Sequence, residues 1–162
     1  MIKSVFGIVV QEDGSFLMVK RRDIPIWVFP GGGIETGETA QEACIRELKE
    51  ETGLTCKIIQ KVGDYNHKWL IPVKASVFLC RAASGMTQIT KETTGIEYFS
   101  LNSPPEPFLA LFQEFYEHSQ NLRPNTAPLL KSVNAKSALH FLVNHPAITF
   151  RFLLTLCGIH WN

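Results

Sequence analysis

Short apolar runs, several with period-two alternation, fill the first half of the chain, and each predicts a strand. Ser4–Val10 is apolar and rich in β-formers; Glu12-Asp13-Gly14-Ser15 carries the Asp-Gly turn signal, and Phe16–Arg22 reads as the returning strand. Trp27–Phe29 is a short strand that runs into Pro30. Leu54–Gly63, Ile71–Arg81 and Ile96–Leu101 predict three more, with Val77-Phe78-Leu79-Cys80 as the buried part of the second. Two stretches read as helix instead. The first is Ala40–Thr52; the second is Glu106–His118, with Phe108, Leu109, Leu111, Phe112 and Phe115 on its inner side. Strands broken by one early helix and closed by a late one predict an α/β (α+β) fold with a mixed sheet between helices.

The pattern changes beyond residue 120. Asn121–Pro128 is rich in Asn and Pro and reads as a linker. Leu129–Asn144 predicts a helix that Pro146 ends, and Ala147–Trp161 is apolar nearly all round, with Arg151 its only charge. The expected division is therefore a domain over 1–120 and a helical extension over 121–162. A helix apolar on every side has to be buried. Its partner can be its own domain, a second subunit or a membrane surface. A basic face for lipid is missing, which favours self-packing or a homodimer contact.

The polar positions that carry chemistry lie between Gly31 and Leu54. Gly31-Gly32-Gly33 predicts a loop. Thr39 with Glu42 three residues later is a capping box for the helix, and Gly53 is a left-handed stop. Helical spacing puts Glu47 and Glu51 on one face with Glu50 beside them, among the small residues Ala40, Ala43 and Cys44. Glu42, Arg46 and Lys49 fit an outer, solvated side, with Glu42 and Arg46 as an i,i+4 pair. Clustered carboxylates repel one another unless a cation neutralises them, and hard oxygen donors in this number suit Mg²⁺ or Mn²⁺. Lys20, Arg21 and Arg22 end the second strand just before the glycines. They read either as phosphate-binding groups or as a strand end reaching solvent. Tyr65, His67 and Trp69 read either as rings offered to a nucleobase or as hairpin packing.

Composition narrows the class. The chain has 162 residues, 45% hydrophobic, with a net charge of +1, so no electrostatic case exists for binding a nucleic-acid polymer. The four cysteines form no CxxC pair and read as buried hydrophobes in a reducing compartment. No signal peptide or transmembrane run is visible, and the expected location is the cytoplasm.

From Gly32 to Leu54 the chain resembles the Nudix box, G-x5-E-x7-R-E-U-x-E-E-x-G-U, where U is a bulky aliphatic residue. Gly32, Glu38, Arg46, Glu47, Leu48, Glu50, Glu51, Gly53 and Leu54 fill every defined position, and Trp27-Val28-Phe29-Pro30-Gly31 resembles the lead-in. The resemblance implies an α-β-α sandwich and a divalent-metal-dependent pyrophosphohydrolase acting on a nucleoside diphosphate linked to another group. It implies Glu47, Glu50 and Glu51 as metal ligands, with the Gly31 carbonyl as a further one. Arg46 and Glu38 carry over as groups that orient the acids, and Gly32 and Gly33 as backbone against the substrate. Lys91–Phe99 resembles the segment that brings a further acid to the metal, which makes Glu92 a ligand or base; an exposed loop glutamate is the other reading. The expected substrate is ADP-ribose or a nucleotide sugar, with a nucleoside triphosphate second. Pro72 lies slightly too far beyond Leu54 for the ADP-ribose spacing, and no tyrosine stands where the diadenosine polyphosphate pattern wants one. The alternative is a non-catalytic nucleotide sensor of the same fold, which has no reason to keep every ligand.

Overall fold

Among the described residues, seven strands and four helices form in the order β1 (Ser4–Val9), β2 (Phe16–Arg21), β3 (Trp27–Val28), β4 (Gly31–Gly33), α1 (Ala40–Thr52), β5 (Thr55–His67), β6 (Val73–Ser84), β7 (Thr93–Phe99), α2 (Ala110–Gln120), α3 (Ala135–Asn144) and α4 (Pro146–Leu156). The computed structural model describes residues 2–67, 73–121, 130–131 and 134–156. One sheet has the order β4-β1-β6-β5 and is mixed: β1 is parallel to β6 and antiparallel to β4, and β5 is antiparallel to β6. The other has the order β3-β2-β7 and is antiparallel.

Alternation along the strands sorts the core into two layers. Val5, Val9 and Leu17 turn to one side and pack with Ala43, Cys44 and Leu48 of α1. Ile8, Phe16 and Met18 turn to the other, where Phe112, Phe115 and Tyr116 of α2 close the layer with Phe29 and Tyr65. Fully burying side chains of this size contributes about 1.5–3 kcal/mol each. The mixed sheet and flanking helices expected from the sequence are therefore present.

Four local expectations need correction. Gly31–Gly33 is not a loop but an edge strand paired with β1. The strand expected to end at Gly63 continues to His67; of the two readings of Tyr65 the packing one holds, since it is buried against Phe115 with its hydroxyl 2.9 Å from His118 Nδ1. Trp69 lies outside the described residues. Helix α2 starts at Ala110 rather than Glu106, because 106–109 serves the sheet edge: the Trp27 N–H donates to the Pro107 carbonyl, and Trp27 bridges Phe108. Last, α3 starts at Ala135 behind a capping box of Asn134 with Ser137, and Pro146 opens α4, where a missing N–H costs nothing.

The extension also departs from its expected burial. No residue of α3 is buried, and Leu139, Val143 and Phe150 are each more than half exposed. Self-packing on the domain, one of the two favoured readings, is therefore absent from the described part of α3.

Candidate active site

Helix α1 starts and stops where its chemistry dictates. Thr39 Oγ1 accepts from the Glu42 N–H (3.2 Å) while the Glu42 carboxylate accepts from the Thr39 N–H (2.8 Å). Such a cap contributes about 1 kcal/mol. At the far end Gly53 sits at φ +77°, left-handed backbone that glycine adopts without steric cost. The fixed ends set which face looks inward: Ala43, Cys44 and Leu48 enter the core, and Glu47, Glu50 and Glu51 rise beside them along a cleft.

Strand β4 forms the opposite wall. The Gly7 N–H donates to the Pro30 carbonyl and the Ile34 N–H to the Lys3 carbonyl, so Pro30, Gly32 and Ile34 face β1. The residues between them, Gly31 and Gly33, turn their backbone groups to the free edge. There the Gly31 N–H donates to Glu51 Oε2 (2.8 Å), and the Gly33 carbonyl accepts from Arg46 Nη2 (2.9 Å). The Gly31 carbonyl lies on this same edge. Gly32 presses directly on Glu47, and a Cβ there would run into the carboxylate. That close approach explains glycine at this position.

Arg46 holds the acids in place. Its guanidinium meets Glu38 Oε1 at 2.7 Å, Glu47 Oε1 at 3.0 Å and Glu50 Oε2 at 3.1 Å, in addition to the Gly33 carbonyl. The expected Glu42–Arg46 surface pair is corrected: Glu42 is spent on the cap, and Arg46 reaches across the cleft instead. A rigid planar fork with five donors spread over three nitrogens can join acceptors that lie well apart, whereas the three donors of an ammonium sit on one atom. The guanidinium also keeps Glu38 below the usual carboxylate range and is itself pushed up by its acidic neighbours.

Four carboxylates line one cleft of about 620 Å³: Glu47, Glu50, Glu51 and Glu92, with Arg21, Arg46, Lys91, Thr90 and the three glycines. Burial raises Glu47 and pushes Glu51 up to about 7; the charges of Glu47 and Glu92 add to the effect on Glu51, and the Gly31 N–H opposes it. Among the described residues no three such side chains yet converge on a single point. Arg46 Nη1 bridges Glu47 and Glu50, while Glu51 accepts from the Gly31 N–H. The donor set nevertheless fits a hard divalent cation: all oxygen, anionic, and strained by mutual repulsion that a cation relieves.

The cations differ from expectation. Arg21 lines the cleft but is paired with Asp23 at 2.5 Å. Arg22 is outside the cleft lining, with its guanidinium on backbone carbonyls of the 90–93 segment, so its expected role on phosphate is corrected. Lys91 and Thr90, which sequence reasoning did not single out, do line the cleft. The only available signal was the position of Lys91 next to Glu92.

The model of the NUDIX domain matches residues 1–118, and the chain belongs to that family. It is 34% identical over 104 residues to an ADP-ribose pyrophosphatase of Methanocaldococcus jannaschii, a match covering 60% of this chain and 62% of that protein. It is 44% identical over 63 residues to a protein of Bacillus subtilis (strain 168) provisionally named an 8-oxo-dGTP diphosphatase, covering 39% of this chain and 42% of that one. The chain thus spans about half the length of these curated relatives. Among solved structures, the MutT NUDIX hydrolase of Burkholderia pseudomallei superposes with a TM-score of 0.64 at 23% identity, covering 71% of this chain and 95% of that one, which shows a shared fold. Among the described residues no helix is long and apolar enough to cross a membrane.

Proposed function

We propose that the chain hydrolyses a phosphoric anhydride bond in a nucleoside diphosphate derivative, with Mg²⁺ or Mn²⁺. The observation that carries this is the placement of Glu47, Glu50, Glu51 and Glu92 along one cleft, with two of them raised by burial. Glu47, Glu50, Glu51 and the Gly31 carbonyl would hold the ion. Bound there, it supplies Lewis-acid polarisation of a phosphoryl oxygen and a water of lowered pKa. Glu51 or Glu92 takes the proton from the attacking water. Arg21 and Lys91 face the polyphosphate, Gly32 and Gly33 offer backbone to it, and Arg46 with Glu38 keeps the carboxylates in register.

ADP-ribose or a nucleotide sugar is the first substrate reading, supported by the name of the archaeal relative. A nucleoside triphosphate is second, supported by that of the bacterial one. Product analysis of a panel with Mg²⁺ separates them. ADP-ribose cleavage yields two monophosphates; pyrophosphate released from triphosphates alone would overturn the first reading. The sensor alternative predicts tight binding with no product. Pairing of two copies through α3 and α4 also belongs to this reading, supported by the exposed Leu139, Val143 and Phe150. Sedimentation of the full chain tests it, and a monomer at all concentrations would refute it.

A further inference from the structure

Arg22 follows directly after β2, is exposed, and spends its hydrogen-bonding capacity on one segment. Its Nε donates to the Lys91 carbonyl (2.8 Å), and its Nη2 donates to the Thr93 carbonyl (3.0 Å) and the Thr90 carbonyl (3.4 Å). Its own N–H donates to the Glu92 carbonyl (2.9 Å). Every carbonyl from Thr90 to Thr93 is thus taken by this one residue. The segment has internal ties as well: the Thr90 N–H donates to Thr93 Oγ1 and the Glu92 N–H to Thr90 Oγ1, while Thr93 is buried.

Thr90, Lys91 and Glu92 are the rim of the cleft facing α1 and β4. A short irregular segment has no ladder to fix its backbone, so its side chains aim only as well as its carbonyls are held. We infer that Arg22 is a positioning residue, a guanidinium strut that fixes Lys91 and Glu92 against the carboxylate helix without touching substrate. This rests on the proposed hydrolase reading for its catalytic consequence, but not for its structural one. The planar fork is what the role needs. A lysine at the same place keeps the charge but gathers its three donors on one atom at the end of a flexible stem, so it cannot reproduce contacts made from both Nε and Nη2.

Two readouts test it. In hydrogen exchange of the full chain, Arg22→Lys and Arg22→Ala should speed exchange of the Thr90 and Glu92 amides by about 10-fold or more, with the α1 amides unchanged. Unchanged exchange at 90–93 would overturn the strut, whatever the protein catalyses. In hydrolysis with Mg²⁺, Arg22→Ala should cost about 10-fold or more in kcat/KM in the wild-type background and under about 2-fold in a Lys91→Ala/Glu92→Gln background, because the strut then has nothing to aim. Equal losses in both backgrounds would overturn it and make Arg22 act on its own. No hydrolysis by the wild-type chain, together with fast exchange at 90–93 in the variants, would sink the hydrolase reading and leave the strut standing.

Discussion

The cleft and the C-terminal extension use their polar and apolar groups in opposite ways. Around the cleft, charged side chains that could face water are tied to one another: Arg46 alone reaches three carboxylates and a carbonyl. In the extension, apolar side chains that could be buried face water instead, Val143 at 69% and Phe150 at 61% exposure. The extension touches the domain at its start and at the end of α3. Leu130 packs on the core, the Lys131 N–H donates to Glu114 Oε1 (2.7 Å), and His145 approaches Glu106 at 3.8 Å. Fixed spacing specifies partners within a few ångströms. Amphipathic periodicity specifies an element and leaves its partner open.

The largest expected effect lies on the cleft side. Glu50→Gln with Glu51→Gln should keep the fold and lower kcat by at least about 10³-fold, because both donors lose the charge that a divalent ion requires. Unchanged hydrolysis would place the chemistry elsewhere. Circular dichroism checks that the fold survives. Next is Arg46→Met, which leaves Glu47 and Glu50 facing each other with no guanidinium. A loss of about 1–3 kcal/mol in denaturant unfolding is expected, discounted because the group is partly exposed. A loss of under a few tenths would mean that the network is ornamental.

A pH comparison sharpens the picture. Burial raises Glu51 from the usual carboxylate range to about 7 in the fold. The folded state then holds a proton that the unfolded state releases between about pH 4.5 and 7, so metal-free stability falls as pH rises through that window and levels off above it. Glu51→Gln removes this penalty. The variant should gain about 1–2 kcal/mol over the wild type at pH 8 relative to pH 4 without metal. A constant difference across pH would contradict the burial account. For the same reason metal affinity should weaken as pH drops through 7. The smallest effect belongs to the extension: ending the chain after Asn121 should change kcat/KM by less than about 3-fold, since among the described residues none of the cleft lining comes from beyond it. A 10-fold loss would show the two regions to be coupled.

How much was legible follows from the same contrast. The limits of α1, its capping box and its left-handed stop were readable because they depend on neighbours in sequence. The mixed sheet between helices followed from the order of the elements. The strand character of Gly31–Gly33 was not readable, because three glycines carry no β signal and pairing with Val5 supplies it. The choice between the two readings of Tyr65 and the place of Arg22 were hidden for a related reason: α2 buries the one and the 90–93 segment catches the other, both distant in sequence. Exposure of α3 was equally hidden, since a hydrophobic stripe looks the same whether or not something covers it.

On the reading proposed above, this cleft breaks a P–O–P linkage with a divalent ion. Phosphorus NMR of ADP-ribose with the full chain and Mg²⁺, repeated with excess chelator, tests it most directly. The diphosphate signals should be lost and two monophosphate signals should grow equally with Mg²⁺, with neither change in the presence of chelator. Persistence of the diphosphate signals across ADP-ribose, nucleotide sugars and nucleoside triphosphates, together with saturable binding of any of them, would contradict it and leave a nucleotide-binding module.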